Sequence, residues 1–520
     1  MEFENEGIGG NLLLRLFTVF LFIILALSGA AFAVYMLVTA TNVLTLLLAI
    51  AFLMLACVSG FFNVTSATLY YRSYFYYKYI KEVSDGLNPM HDFPTVAVVV
   101  PVFNEEVKMV ERNMLRLKTM DYPKSKMKFY LLDDSTNESI TAALQDFSAK
   151  NGITFMHRGN RSGFKAGALN NMMKSSKEEF VAIFDADEYL TNKTFLQELV
   201  PYFADKRLAY VQTRKSSFNG TFFSDSVKLF DDFFYTFIQP ARAFNNTAIF
   251  AGSCGVIKRE ALNKIGGFPE YVVEDTFFSF EADVNNYKSL YLPKIYAYGM
   301  PITTVTALAR QQWRYNYGDT QFLGYFFDKL ISKEVTLKSR ISKVDYVTHG
   351  FGLNYLSVML VLTTIVSLLI VFSNFAFAHM TISQLLMASN IQQFVELFGF
   401  AAFILSLMVP VILTKVYFKS ISRGMMLFVL NFALAIVRTK AAIAAVLGVN
   451  PTMHWRKAKS RSRRSASFSI FNTMAEIFFS FVLFASSGLA LYLNNLAGSL
   501  WLVWYGIMYL AATMLIYRYG

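Results

Sequence analysis

Asp185 and Asp187 stand two residues apart at the end of a short apolar run, Phe180 to Phe184. A buried strand ending there would project both carboxylates toward one point, which suits a hard divalent cation, Mg²⁺ or Mn²⁺, completed by phosphate oxygens. Upstream, Arg161-Ser-Gly-Phe-Lys165-Ala-Gly167 offers a basic residue, permissive glycines and a helix start. Lys165 at a helix N-terminus would meet a phosphate together with backbone N–H groups. Downstream, the small residues Gly252, Ser253 and Cys254 permit close approach of backbone or ligand. Glu274 and Asp275 then precede an aromatic helical stretch, so Asp275 either serves as a general base or caps its helix. Gln311-Gln312-Trp313-Arg314-Tyr315 follows, with Gln311 and Arg314 sharing a helix face. Arg314 could pin a phosphate and the aromatics could stack on a ring, or the segment could be an ordinary helix at a membrane interface.

These residues need a scaffold that brings strand ends together. Thr95 to Val102 is a Val-rich apolar run too short for a helix, ending in Phe103, Asn104, Glu105 and Glu106. Phe129 to Leu132 ends likewise at Asp133 and Asp134. Apolar strands that alternate with helical stretches and each end in polar residues predict an open, largely parallel α/β sheet. Its ligands would bind beyond the carboxyl ends of the strands.

Outside residues 85–345 the chain has another character. It is 55% hydrophobic and only 16% charged over 520 residues, which is not a soluble-domain composition. Apolar runs of spanning length occur at Leu16 to Val38, Val43 to Phe62, Phe351 to Phe375, Leu397 to Leu413, Ile470 to Leu493 and Leu500 to Tyr517, six candidate spans. The first is too long, and its leader too acidic, for a cleaved signal peptide. Thr39 to Asn42, Ala378 to Gln393 and Asn494 to Ser499 lack Lys and Arg, so the charge rule places them outside, and the central domain and both termini in the cytoplasm. Met425 to Leu447 is interrupted by Arg438 and Lys440, and Thr68 to Lys81 mixes tyrosines with basic residues, so both predict interfacial helices.

The expected organisation is therefore two membrane helices in 1–66, an interfacial segment in 67–90 and the central α/β domain in 91–345. Two further spans in 346–423, an interfacial helix and basic loop in 424–466 and two last spans in 467–520 complete it. The net charge of +12 is concentrated in the juxtamembrane Arg456 to Arg464, which fits anionic lipid headgroups rather than nucleic acid. Two cysteines, Cys57 and Cys254, build neither a disulfide framework nor a Cys zinc site.

In order, PVFNEE, DDST, KAGALN, DADE, GSCG, VED and QQWRY resemble the family 2 inverting glycosyltransferases of the membrane-embedded kind, which include cellulose, hyaluronan and chitin synthases and ceramide glucosyltransferases. The resemblance covers about residues 90–320 and implies a GT-A-like domain. It further implies that Phe103, Asn104 and Glu105 lie beside a nucleotide, that Asp133 or Asp134 contacts its base, and that Lys165 meets the diphosphate. Asp185 and Asp187 would face metal and donor, and Asp275 would be the base. Gln311, Arg314 and Tyr315 would match the family's Gln-x-x-Arg-Trp at acceptor and pyrophosphate, with Gly252, Ser253, Cys254, Glu274 and Trp313 nearby. Two departures stand out: Val273 replaces the Thr of Thr-Glu-Asp, and Tyr315 replaces Trp, a loss of stacking area for which Trp313 could compensate. His454 to Lys459 occupies the place of the family's nucleotide-closing loop without matching its pattern.

The resemblance implies transfer from a nucleotide-diphosphate sugar, a UDP-sugar first, to a glycan or lipid acceptor at a cell membrane. A processive polysaccharide synthase leads, and addition of one sugar to a membrane lipid is the alternative. Asn354, Tyr355 and Glu476 within spans could line a polymer channel or pair between helices. A sensor of nucleotide sugars could dispense with a base, so Asp275 argues against that class.

Overall fold

The computed structural model describes residues 11–38, 43–88, 92–331, 343–348, 408–449, 466–492 and 496–520, with a few isolated positions besides. Within them the main helices are α1 (Leu12–Val38), α2 (Val43–Asp85), α3 (Val107–Leu117), α4 (Glu138–Lys150), α5 (Phe164–Ser175), α6 (Phe222–Phe233), α7 (Glu274–Val284), α8 (Val305–Ile331), α9 (Ile421–Val446), α10 (Ala466–Tyr492) and α11 (Leu496–Tyr519). The strands are β1 (Val96–Val102), β2 (Met127–Asp133), β3 (Thr154–His157), β4 (Phe180–Ile183), β5 (Tyr189–Leu190), β6 (Leu208–Ser217), β7 (Gly255–Lys258) and β8 (Lys288–Gly299).

The strands form one sheet in the order β3-β2-β1-β4-β7-β6-β8-β5. β3, β2, β1 and β4 run parallel, as their alternation with helices predicts. β7 lies antiparallel between β4 and β6, β8 pairs parallel with β6, and β5 closes the edge antiparallel, so six of the eight strands run one way and the expected largely parallel sheet carries two reversed strands. The sheet is therefore mixed. Alternation along β1 explains its burial on both faces: Val96, Val98, Val100 and Val102 pack with Val110, Met114 and Leu117 of α3, whereas Ala97 and Val99 pack with Ala166, Leu169 and Met172 of α5.

Four helices among the described residues are long and apolar enough to cross a membrane by length and composition, in Leu12–Val38, Ala49–Asp85, Ile421–Val446 and Met474–Tyr492. Three coincide with expected spans. The sixth expected span, Leu500 to Tyr517, is helical within α11, which packs along α10. Phe351 to Phe375, Leu397 to Leu413 and the 454–459 loop lie largely or wholly outside the described residues, as do Asn354 and Tyr355. Six spans are thus an expectation of the sequence, and the described residues offer four helices of spanning length.

Two segments differ from their expected places at a membrane surface. Thr68 to Lys81 continues α2, a single helix of 43 residues, and carries it into the domain built on the sheet. Tyr76 and Ile80 join the sheet's core. The Tyr76 hydroxyl donates to the Tyr291 carbonyl at 2.7 Å, and the Tyr70 ring stacks on Phe237 with centroids 4.5 Å apart. Tyr70 and Tyr76 are packing residues of the domain rather than part of a lipid-facing belt, whereas Tyr71 and Tyr79 of the same segment stay exposed. Arg72 grips Asp345 through both carboxylate oxygens, at 2.7 and 2.8 Å.

The second segment is α9, where Arg438 lies fully buried. Its length would let it cross a bilayer, yet both ends meet the central domain. Arg423 reaches Asp225 of α6 at 3.6 Å, and Tyr317 of α8 donates to the carbonyl of Val449, just past the helix end, at 2.8 Å. A 26-residue helix is about 39 Å long, so such a helix lies along the domain rather than leading away from it.

Candidate active site

The parallel strands β1, β2 and β4 end in register, Val102 beside Asp133 and Val99 beside Ile183, so their polar loops share one rim of the sheet. Asn104 takes a left-handed conformation (φ 50°) that turns the chain off β1. It staples the first two loops: its N–H donates to Ser135 Oγ at 2.9 Å, and its side-chain oxygen accepts from the N–H groups of Thr136 at 3.0 Å and Asn137 at 3.2 Å. Glu105 beside it is buried.

The two aspartates after β2 have distinct environments. Asp133 is buried and accepts from the Ser135 N–H at 3.1 Å and from the Thr141 hydroxyl at 2.8 Å, and its Oδ2 lies 2.8 Å from His157 Nδ1. Asp134 is held by both arms of Arg158, at 2.8 and 2.5 Å. The same guanidinium donates to the carbonyls of Ser162 and Phe164, at 3.0 and 2.9 Å, so it shapes the loop that enters α5. Gly167 is required there, because a Cβ would lie 2.0 Å from the Ser162 carbonyl oxygen. Arg161 covers the Phe103 ring, 3.3 Å from its centroid.

At the centre, Lys165 Nζ donates to Asp185 Oδ1 at 2.6 Å and to the Gly252 carbonyl at 3.0 Å. A second lysine completes the cluster. Lys215 donates to Ser253 Oγ at 2.5 Å and lies 3.3 Å from Asp185 Oδ2 and 3.2 Å from Glu188 Oε1. Ser253 in turn donates to Glu188 at 2.7 Å. Burial opposes the charge on both lysines, but carboxylates, Asp185 for Lys165 and Glu188 for Lys215, hold each above its ordinary pKa. Burial pushes Glu188 above the usual carboxylate range.

Lys215 does not figure among the residues singled out from sequence, and Glu188 enters there only as the last residue of DADE, with no role of its own. Lys215 lies near the end of β6, the Leu208–Ser217 strand, beside Arg214, and the two basic residues point apart, Arg214 to Asp232 at 2.6 Å and Lys215 to Asp185. The usable signal is a basic residue at the end of one more strand, which no short motif marks.

Asp275 lies in the first turn of α7. Its Oδ1 accepts from the Thr276 N–H at 2.8 Å, so one oxygen does the work of a cap. Its Oδ2 faces Gly252, where a Cβ would lie 3.3 Å from it and 3.6 Å from Lys165 Nζ. Gly252, at φ +78°, thus lets the carboxylate and the lysine share the same small space. The cap and the base are compatible because the two oxygens have separate jobs. Burial raises the pKa of Asp275 and of Glu274, the latter also through the neighbouring Asp275 charge, while Lys165 opposes both shifts.

On α8, Gln311 donates to the Tyr315 hydroxyl at 3.3 Å, and the Arg314 guanidinium lies 5.3 Å from the Tyr315 ring centroid. The positive charge of Arg314 acts on Glu274 and Asp275. Tyr315 is exposed. Trp313 faces elsewhere: it stacks on Tyr317, centroids 5.1 Å apart, and packs with Val272 and Ala441. It supplies no replacement stacking surface beside Tyr315.

For a cation, the rim offers Asp185 and Asp187. Asp187 makes no hydrogen bond or ion pair among the described residues, where no three His, Cys, Asp or Glu side chains form a ready-made cage. The donor set fits a cation whose remaining ligands are phosphate oxygens and water.

Residues 97–266, spanning β1 to α7's approach, match the family model described as glycosyl transferase family 2. Over those residues the chain is similar to the family 2 glycosyltransferases. The domain resembles the cellulose synthase catalytic subunit [UDP-forming] of Pseudomonas fluorescens (strain SBW25), 30% identical over 268 residues, which cover 50% of this chain and 36% of that protein. It also resembles the probable glucomannan 4-beta-mannosyltransferase 7 of Oryza sativa subsp. japonica, 29% identical over 276 residues, 50% of this chain and 46% of that one. The chain thus spans less than half the length of these relatives. A solved mannosyltransferase of Pyrobaculum calidifontis, in complex with GDP-Man and Mn²⁺, aligns at TM-score 0.48 and 18% identity over 74% of this chain and 97% of its own.

Proposed function

We propose that this glycosyltransferase domain moves a sugar, with inversion, from a nucleotide-diphosphate donor to a glycan acceptor, as a processive synthase in a membrane. The observation that carries the chemistry is Asp275, one oxygen fixed on its helix and the other facing Gly252 beside Lys165. Lys165, Lys215 and Arg314 would hold the donor's diphosphate. Asp275 would accept the proton of the acceptor hydroxyl as that oxygen attacks the anomeric carbon from the face opposite the diphosphate. The sugar–phosphate bond breaks as the new bond forms, and the nucleoside diphosphate leaves with the electron pair. Asp185 and Asp187 would hold a divalent cation, which when bound neutralises charge on the departing diphosphate. The names of the cellulose synthase relatives make a UDP-sugar the first donor to test.

Incubating the purified chain in lipid with labelled UDP- and GDP-sugars, then sizing the product, tests this reading. A ladder of long glycans is expected. A single sugar on lipid would favour the alternative, and no donor consumption would reject both.

Activity should also depend on pH in a defined direction. Asp275 works as a base only when ionised, and burial raises its pKa, so transfer is present above that pKa and lost as pH falls through it. The acid limb of kcat should therefore lie above the roughly 3.9 of an ordinary aspartate. A limb at or below that value would count against a buried base.

The multi-pass topology is open to cysteine labelling. With the domain and both termini cytoplasmic, a Cys at Ser389 should react from outside sealed cells and one at Ser460 should not. Labelling at Ser460 would mean that α9 crosses the bilayer.

A further inference from the structure

Arg438 is an odd occupant of an apolar helix. Its side chain is fully buried on α9, and removing a guanidinium from water costs several kcal/mol unless hydrogen bonds replace its hydration. They do. Nε and Nη2 donate to Gln312 Oε1 at 3.0 and 2.8 Å, and Nη1 donates to Asn431 Oδ1 at 3.2 Å. Gln312 stands between Gln311 and Trp313 and two residues before Arg314, so the buried arginine holds the helix that carries the acceptor-side residues.

Two further contacts make α8 a clamped element. On the side of α9, Trp313 and Tyr317 pack with Ala441, and the Tyr317 hydroxyl bonds the Val449 carbonyl at 2.8 Å. On an adjacent face, Gly318 sits so close to Val273 that a Cβ would come within 2.6 Å of its side chain. Val273 immediately precedes Glu274 and Asp275. The clamp therefore fixes one face of α8 on α9 and another on the residue next to the proposed base.

We infer that Arg438 is a positioning residue: through Gln312 it sets where Arg314 and Tyr315 stand relative to Asp275, and so whether the acceptor hydroxyl or water is presented for attack. This rests on the transfer reading above. Displacing a substrate-positioning element by about 1 Å costs roughly 10²-fold in a well-aligned reaction. Water needs no such alignment.

The test is the ratio of sugar transferred to sugar released by hydrolysis, measured with radiolabelled UDP-glucose on the full chain in lipid. A merely structural role lowers the amount of active protein and leaves this ratio unchanged. Arg438→Met should lower it at least about tenfold, a fraction of the misalignment penalty. Gln312→Met, which removes the acceptor from the other side, should do the same and serves if Arg438→Met is not recovered folded. Gln312→Glu, whose carboxylate accepts the same two bonds, should keep the ratio within about twofold. An active wild type with an unchanged ratio in both methionine variants would overturn the inference alone. A wild type that transfers nothing from UDP-glucose or from any other labelled UDP- or GDP-sugar would overturn the transfer reading and this inference with it.

Discussion

Asp275→Asn should leave nucleotide-sugar affinity close to wild type while transfer falls by roughly 10² to 10⁴, the usual contribution of a general base. The substitution is unusually clean here. Asparagine keeps an oxygen that can accept from the Thr276 N–H, so the start of α7 stays capped, and only the oxygen facing Gly252 loses its basicity. A residue that merely caps would behave differently, costing about 1 kcal/mol of stability when its acceptor is lost and leaving the chemistry intact. Calorimetric donor binding and product release in one preparation separate the cases. Transfer within about threefold of wild type would end the assignment and make Glu274 the next candidate.

The second large effect should come from the cation site. Chelation by EDTA should stop turnover, and added Mn²⁺ or Mg²⁺ should restore it. Among single changes Asp187→Asn is the most informative, because Asp185 is also the partner of Lys165 and Lys215, so altering it disturbs the diphosphate side as well. Loss of even an outer partner of a metal ligand commonly costs about 10- to 100-fold in affinity or activity, and loss of a ligand should cost no less. Donor and cation affinity should fall together in Asp187→Asn, in contrast to Asp275→Asn. Full turnover in chelator would remove the metal from the account.

Much of the rim was legible in the sequence because parallel strands in an α/β sheet are buried on both faces and announce themselves as short apolar runs. Val96 to Val102, Phe129 to Leu132 and Phe180 to Ile183 fall where those runs predict, and the polar residues after them do line one rim. The antiparallel insertion of β7 was not legible: Gly255 to Lys258 is four residues long, and its pairing with β4 and β6 is a long-range choice that no local pattern encodes. Lys215 escaped for the same reason, since only the pairing of β6 through β7 carries it to Asp185. Charge rules also read exposure into residues that find partners. Arg438 is expected in headgroups but is buried against Gln312, and Tyr70 and Tyr76 of α2 are expected at a membrane surface but pack on the domain. Hydropathy registers a side chain's cost in lipid and cannot register the neighbour that offsets it.

A single displacement driven by one base has a stereochemical consequence that a covalent or sensing mechanism lacks. Nuclear magnetic resonance of the first glycoside formed from an α-linked donor such as UDP-glucose would read the anomeric configuration of the new bond directly. Attack from the face opposite the diphosphate, with Asp275 taking the proton, requires a β-linked product. An α-linked product would contradict the assignment of Asp275 as the sole base and the inverting reaction with it.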